Sequence, residues 1–169
     1  MKFKYTRNSK VQGGSTKQTE QGKLCEDAVE SINRHNATYV IYTDGSASGG
    51  TTDGGSAAVI TEGDQEDPKI VKKIMKRGST ATCSYDEELE ALKLAAAWIE
   101  NNIHDSPIVL ICTDSQALCK SLEGHYVGEV ALIKYKLESV SPNIIIQWIP
   151  GHSNIPGNEI VDAAAKEAA

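Results

Sequence analysis

No apolar run in this 169-residue chain reaches the roughly 18 residues that a membrane span requires. Behind the first residues, Met1-Lys-Phe-Lys-Tyr-Thr-Arg7, there is no apolar stretch of the kind that marks a secretory signal. The four cysteines, Cys25, Cys83, Cys112 and Cys119, show no Cys-x-x-Cys spacing. They read as reduced thiols of an intracellular protein, cytoplasmic or nuclear. A zinc site from Cys112, Cys119 and His125 is disfavoured, because one cysteine ends a strand and the other lies in a helix. The glycine-rich stretch 45–55 lacks the Gly-Lys-Ser/Thr of a phosphate-binding loop and reads as a hairpin turn. There is no internal repeat. A broad basic surface is missing too. The net charge is −6, and it is uneven: residues 1–37 carry seven Lys/Arg against four Asp/Glu, whereas residues 38–169 carry ten against nineteen. An acidic body is unlike a nucleic-acid binder, unless bound divalent cations supply positive charge where a phosphate must come.

What the chain does have is enough apolar residue, 40%, for one domain with a real core. Residues 1–37 read as a polar N-terminal linker or tether. Within them, Leu24, Ala28 and Ile32 recur every fourth residue and predict a short helix over 22–34. The compact domain is expected over 38–169. It opens with Thr38-Tyr-Val-Ile-Tyr-Thr43, then Ser56-Ala-Ala-Val-Ile60 and Lys69-Ile-Val-Lys-Lys-Ile-Met-Lys76, three strands with short connections that suit an antiparallel meander. The lysines of the third suit an exposed edge. Ser84-Tyr-Asp-Glu87 has the form of a capping box, and Leu89, Leu92, Ala96 and Ile99 behind it keep helical spacing to about Asn101. Ile108-Val-Leu-Ile-Cys-Thr113 is a continuous apolar run, as in a strand covered on both faces. Helices are expected from Ser115 to Leu122 and through Val130, Ile133, Leu137 and Val140. A last buried strand, Asn143-Ile-Ile-Ile-Gln-Trp-Ile149, precedes an alanine-rich final helix. The order βββαβα(α)βα is that of an α/β domain with a mixed sheet.

Four acidic residues stand out against this pattern. Asp44 and Asp114 follow buried-looking strands, Glu88 shares the apolar stripe of its helix with Leu92, and Asp162 lies on the final helix. No Lys or Arg neighbours Asp44 or Asp114 in sequence. A carboxylate pressed against a core is costly unless it is paired or binds a cation. If the strands ending at Asp44 and Asp114 lie side by side and parallel, both acids sit beyond the carboxyl ends of the strands, where such sheets gather ligands. Hard oxygen donors of this kind select magnesium or manganese, and two such ions can clamp a phosphate undergoing in-line displacement.

The blocks around these acids, Tyr42-Thr-Asp-Gly-Ser46, Glu88-Leu-Glu-Ala-Leu92, Thr113-Asp-Ser-Gln116 and Trp148-Ile-Pro-Gly-His-Ser-Asn-Ile-Pro-Gly-Asn-Glu-Ile-Val-Asp162, resemble the type-one ribonuclease H family over about residues 38–169. The last block is most similar to ribonuclease H domains of eukaryotic non-LTR retrotransposons. The resemblance implies a ribonuclease-H-like fold, with a five-stranded mixed sheet (order 3-2-1-4-5) and helices on both faces. It implies an endonuclease that hydrolyses the RNA strand of an RNA–DNA hybrid with two magnesium ions, or manganese in their place, and leaves 3′-hydroxyl and 5′-phosphate ends. The implied metal ligands are Asp44, Glu88, Asp114 and Asp162. His152 matches a histidine that assists proton transfer or product release. Gly45, Ser46 and Gln116 match positions near the RNA strand, and Ser84 stands at a helix N-terminus suited to a DNA phosphate. In two places the chain departs from the family pattern. Asp86 and Glu87 in the first helical turn would repel that phosphate. The segment between Lys120 and Pro142 offers only Lys134 and Lys136 among Glu123, Glu129 and Glu138. The implied partners are the hybrid and an upstream reverse transcriptase in cis, with no membrane. The alternatives are a catalytically silent structural domain of a polymerase polyprotein, and another nuclease of the wider fold, such as a transposase or a proofreading exonuclease. The exonuclease pattern carries Asp-x-Glu on the first strand, whereas this chain has Asp44-Gly-Ser46.

Overall fold

The structure is a computed structural model that describes residues 2–4, 17–105, 107–124, 128–140 and 143–169. Its centre is a mixed sheet. Strand β1 is Lys2–Lys4, β2 Tyr39–Ser48, β3 Thr52–Glu62, β4 Lys69–Arg77, β5 Val109–Thr113 and β6 Ile144–Trp148. The helices are α1 Lys17–Asn33, α2 Ser84–Asn102, α3 Gln116–Glu123, α4 Glu129–Val140 and α5 Pro156–Ala168. From β2 onward the strands lie in the expected order 3-2-1-4-5, and β1 adds a sixth strand, parallel to β6, at the far edge. β2, β3 and β4 form the antiparallel meander, whereas β5 runs parallel to both β2 and β6. None of the described helices is long and apolar enough to cross a membrane.

Strand side chains alternate between the two faces of the sheet, and each face has its own core. Ile41, Ile60, Ile111 and Ile146 pack against Leu89, Leu92 and Ile99 of α2, with α3 and α4 beyond. Val40, Tyr42, Val59, Leu110 and Cys112 pack on the opposite face against Ala28, Val29 and Ile32 of α1 and Val161, Ala164 and Ala165 of α5. Burial on both faces explains the continuous apolar run of β5. The edge strand β4 stays exposed, with Ile70, Val71 and Met75 open to solvent among its lysines. Trp98 packs at the rim of the first core, edge-on to Tyr39 with ring centroids 5.2 Å apart.

Three local expectations change. The stretch 45–55 is mostly strand. β2 continues through Asp44 to Ser48, and the turn is confined to the residues around Gly49 and Gly50, both with positive φ. The remaining glycines are there because helices approach too closely for a side chain. A Cβ on Gly55 would lie 2.3 Å from the carbonyl oxygen of Ala165 in α5, and one on Gly45 would lie 2.3 Å from the backbone of Glu87 in α2. The capping box does not form. Cys83, not Ser84, is the N-cap of α2, with no side-chain cap bond, because Glu87 turns inward to the sheet. The N-terminal helix is longer than 22–34 and is docked on the domain, so residues 17–33 are not free linker. The apolar spacing marked its buried face, but the polar residues 17–21 gave no sign of its first turn. His125, named above beside Cys112 and Cys119, lies outside the described residues.

Gly157 tests this close packing. A Cβ there would sit 2.1 Å from the ring of the buried Tyr42. Gly157→Ala should destabilise the fold by about 1–3 kcal/mol through overpacking, read as a lower denaturation midpoint in urea.

Candidate active site

The carboxylates converge at the carboxyl ends of the two central parallel strands. β2 and β5 pair with Tyr42 opposite Cys112 and Thr43 opposite Thr113, so Asp44 and Asp114 follow side by side. Glu88 arrives from α2, drawn onto β2 by the bare backbone of Gly45. One carboxylate oxygen from each of Asp44, Glu88 and Asp114 lies within 4.8 Å of the others. Asp44 and Glu88 are buried, at 7% and 8% exposure. Oε2 of Glu88 is buried with no hydrogen-bond partner. Asp162 of α5 stands just outside this trio and is paired with Lys166 at 2.6 Å. Its charge still reaches Asp44 and helps to raise that pKa.

Burial dominates the electrostatics. It pushes the Asp44 carboxyl up to about 7, reinforced by the charge of Asp114. It pushes Glu88 up to about 10, reinforced by Asp44 and then Asp114. Three oxygen donors converge here, one oxygen is unsatisfied, and no cationic side chain is bonded to any of the three among the described residues. This arrangement fits a hard divalent cation.

Several supporting residues carry no obvious signal in the sequence. The Glu87 carboxylate is buried between Gly54 and Gly78, where a Cβ on either would fall about 2 Å from its Oε1. Ser56 Oγ bonds to Glu87 Oε2 at 2.5 Å and reaches the Glu87 carbonyl oxygen at 3.0 Å. Ser56 is the β3 partner of Gly45, so this latch fixes the first turn of α2, and with it Glu88, against the sheet. Asp114 is held from two sides: Asn158 Nδ2 donates to its Oδ2 at 3.2 Å, and Trp148 Nε1 donates to its carbonyl oxygen at 3.1 Å. These roles appear only in the packed structure, Ser56 and Glu87 where β3 meets α2, and Asn158 and Trp148 where α5 and β6 meet the end of β5.

The other expected residues surround the trio. His152 is exposed, with φ 50°, in the loop after β6. That loop crosses the site so closely that a Cβ on Gly151 would lie 2.9 Å from Asp114 Oδ2. Gly45 and Ser46 continue β2 past Asp44, and Gly45 has a packing role in addition to the binding role expected of it. Gln116 is exposed on the first turn of α3, behind the N-cap Ser115. Ser84 is exposed on the first turn of α2. Of the two acids expected to repel a phosphate there, Glu87 is buried and only Asp86 faces outward, where it accepts from the Cys83 thiol. Lys134 donates to the Leu122 carbonyl, and Lys136 pairs with Glu100 at 2.7 Å, so both cations of that segment are engaged within the domain.

Comparison with known proteins follows the same outline. The RNase H family pattern matches residues 36–169. A ribonuclease H of Helicobacter acinonychis (strain Sheeba) is 31% identical over 137 residues, covering 75% of this chain and 89% of that protein. Among solved structures, LC11-RNase H1 in complex with an RNA/DNA hybrid is 23% identical with TM-score 0.56, covering 77% of this chain and 98% of that one. The foamy viral protease-reverse transcriptase in complex with an RNA/DNA hybrid is 21% identical with TM-score 0.65. It is matched over 79% of this chain and 20% of that one.

The crowded acids give a pH signature in protein stripped of divalent ions. Unfolded Asp and Glu titrate near pH 4. Raised folded pKa values mean that the folded state holds more protons above that pH, so stability falls as pH rises. The melting temperature should drop from pH 5 to pH 8, with the Asp44 contribution spent by about pH 7 and that of Glu88 continuing towards 10. Asp114→Asn should relieve the repulsion and raise the pH 8 melting temperature by about 2–4 °C, read by calorimetry in chelator.

Proposed function

The chain belongs to the ribonuclease H family, and from that premise we propose that it is an endonuclease that hydrolyses the RNA strand of RNA–DNA hybrids by two-metal-ion catalysis. The observation that carries this reading is the convergence of Asp44, Glu88 and Asp114 within 4.8 Å at the carboxyl edge of the sheet. In this proposal those three acids, with Asp162 at their margin, hold two magnesium ions, or manganese in their place. A bound pair would supply charge neutralisation and polarisation of the phosphate, and would keep Asp44 and Glu88 ionised at neutral pH despite their burial.

The chain's own residues do the rest. The Ser56–Glu87 latch and the Asn158–Asp114 bond hold the carboxylates at fixed separation, so little reorganisation is needed when the substrate phosphate arrives. His152, on the loop over Asp114, assists proton transfer or release of products ending in 3′-hydroxyl and 5′-phosphate. The backbone of Gly45 and Ser46 and the side chain of Gln116 read the RNA strand through its 2′-hydroxyls. Ser84, on an outward turn opposed by Asp86 alone, meets a phosphate of the DNA strand.

We further propose a retroelement origin, close to the non-LTR retrotransposon domains, with a reverse transcriptase upstream in cis. The block Trp148 to Asp162 supports this assignment, and an intracellular location, cytoplasmic or nuclear, accords with it. The silent-domain alternative finds no support, since none of the expected ligands is lost from the sequence.

The test offers RNA–DNA hybrid, double-stranded RNA and double-stranded DNA with magnesium. The hybrid alone should be cut, and Asp114→Asn should slow that cleavage by more than about a hundredfold, roughly 2.7 kcal/mol of barrier. Cutting of DNA would sink the proposal, as would a fully active variant. Because Lys134 and Lys136 are engaged within the domain, hybrid binding should be weak. The dissociation constant should rise at least about tenfold between 50 and 200 mM salt, as phosphate contacts dictate, measured by fluorescence anisotropy with a catalytically blocked variant.

A further inference from the structure

Helix α1 lies outside the family match, which begins at residue 36. Its inward side is nevertheless integral to the second core. Ala28, Val29 and Ile32 are buried in one cluster with Ile149 and Ile155. These two isoleucines are the ends of the loop that carries His152, and both are fully buried. Between them the backbone is unusual: His152 and Asn154 both take positive φ, at 50° and 58°, without being glycine. The left-handed region costs His and Asn less than most residues, and two such positions so close together still need support from their surroundings. The loop's own bonds secure its near side, where Ile149 N donates to the Thr113 carbonyl at 2.9 Å and Ser153 Oγ donates to the Gly151 carbonyl at 3.1 Å. The far side is met by α1, whose Cys25 thiol donates to the Asn154 carbonyl at 3.3 Å.

Farther along the helix, two more contacts fix its register on β6. Gln147 Nε2 donates to Ser31 Oγ at 3.1 Å, and His35 Nε2, just past the helix, donates to Gln147 Oε1 at 2.9 Å. Gln147 is buried, so both ends of its amide depend on this helix and its exit. Ser31 of α1 and His35 just beyond it thus bond to the strand before the loop, Cys25 bonds to the loop's far carbonyl, and Ala28, Val29 and Ile32 share one buried cluster with both loop ends.

We infer that α1 is a brace for the His152 loop: it holds the left-handed backbone at His152 and Asn154 and thereby fixes the placement of His152 on the loop that crosses Asp114. Cys25, Val29 and Ser31 are positioning residues in this scheme. The inference rests on the reading of His152 given above, and the test separates the two.

Cys25→Ala and Val29→Ala are made in the parent and in a His152→Ala background, with hydrogen exchange of residues 150–155 and hybrid cleavage both measured. The brace predicts faster exchange in that segment while the strands β2 and β5 keep their protection. It predicts a kcat loss of about tenfold from the misplaced group with less than about twofold change in KM, and less than about twofold further loss when His152 is already alanine. Unchanged exchange at 150–155 in both variants would overturn the brace. So would a kcat loss of equal size in both backgrounds, since α1 would then act elsewhere. If His152→Ala itself leaves cleavage unaltered, the reading of His152 fails, and the exchange data still decide whether α1 holds the loop. Should Val29→Ala unfold the protein, Cys25→Ala, which removes a single partly exposed thiol, carries the test.

Discussion

The burial of Asp44 and Glu88 beside Asp114 is the constraint around which the site is built. Asp44 and Glu88 are largely shut off from water, burial disfavours their ionised forms, and the charge of Asp114 beside them adds to the effect. Left to themselves, such groups would separate or protonate. The surrounding structure opposes separation with specific contacts. Glu88 is held by the bare backbone at Gly45 and by the Glu87–Ser56 bond, Asp114 by Asn158 and Trp148, and Asp44 by its place inside a ten-residue strand. The tension is therefore stored in the fold, and divalent cations are the natural agents to relieve it. Cation binding at these three side chains would be coupled to folding.

Much of this was legible in the sequence. Asp44 and Asp114 after apolar β-rich runs, and Glu88 one turn ahead of Leu92, were enough to place the three acids on parallel strands and the crossover helix. Those signals are local: alternation, a continuous apolar run, and a helical stripe. What escaped depends on contacts distant in sequence. The glycines at 45, 54 and 55 look like a turn until α2 and α5 are seen lying on them. Glu87 looks like half of a capping box until Ser56, 31 residues away, is seen to claim it. The short strand Lys2–Lys4 lies in a brief alternating stretch, Met1-Lys-Phe-Lys-Tyr5, which names no partner by itself. It forms only because β6 offers a free edge.

The same logic separates two layers in the site. The carboxylates and His152 are marked by residue type and by the blocks in which they sit. The parts that hold them, Ser56, Asn158, Gly151 and helix α1, are ordinary residues whose importance comes from geometry. This division accounts for the outward character of the domain. Its catalytic edge is densely built, whereas some of its cations are spent internally: Lys76, Glu90, Lys93 and Glu129 form a chain of ion pairs joining β4, α2 and α4. Charge that could have faced a polyanion is used to tie helices to the sheet.

The glycine cradle has a consequence in the unfolded chain. Gly45, Gly54, Gly55, Gly78, Gly151 and Gly157 are all positions where a side chain would collide with the folded structure. Each also leaves the denatured polypeptide freer to wander, because glycine surrenders more conformational entropy on folding than any other residue. The geometry that crowds the acids together thus weakens the protein twice, once through repulsion in the native state and once through disorder gained on melting. Heat tolerance in this domain has to be found away from the catalytic edge, in the solvent-facing helices and loops, where a stiffer backbone disturbs nothing.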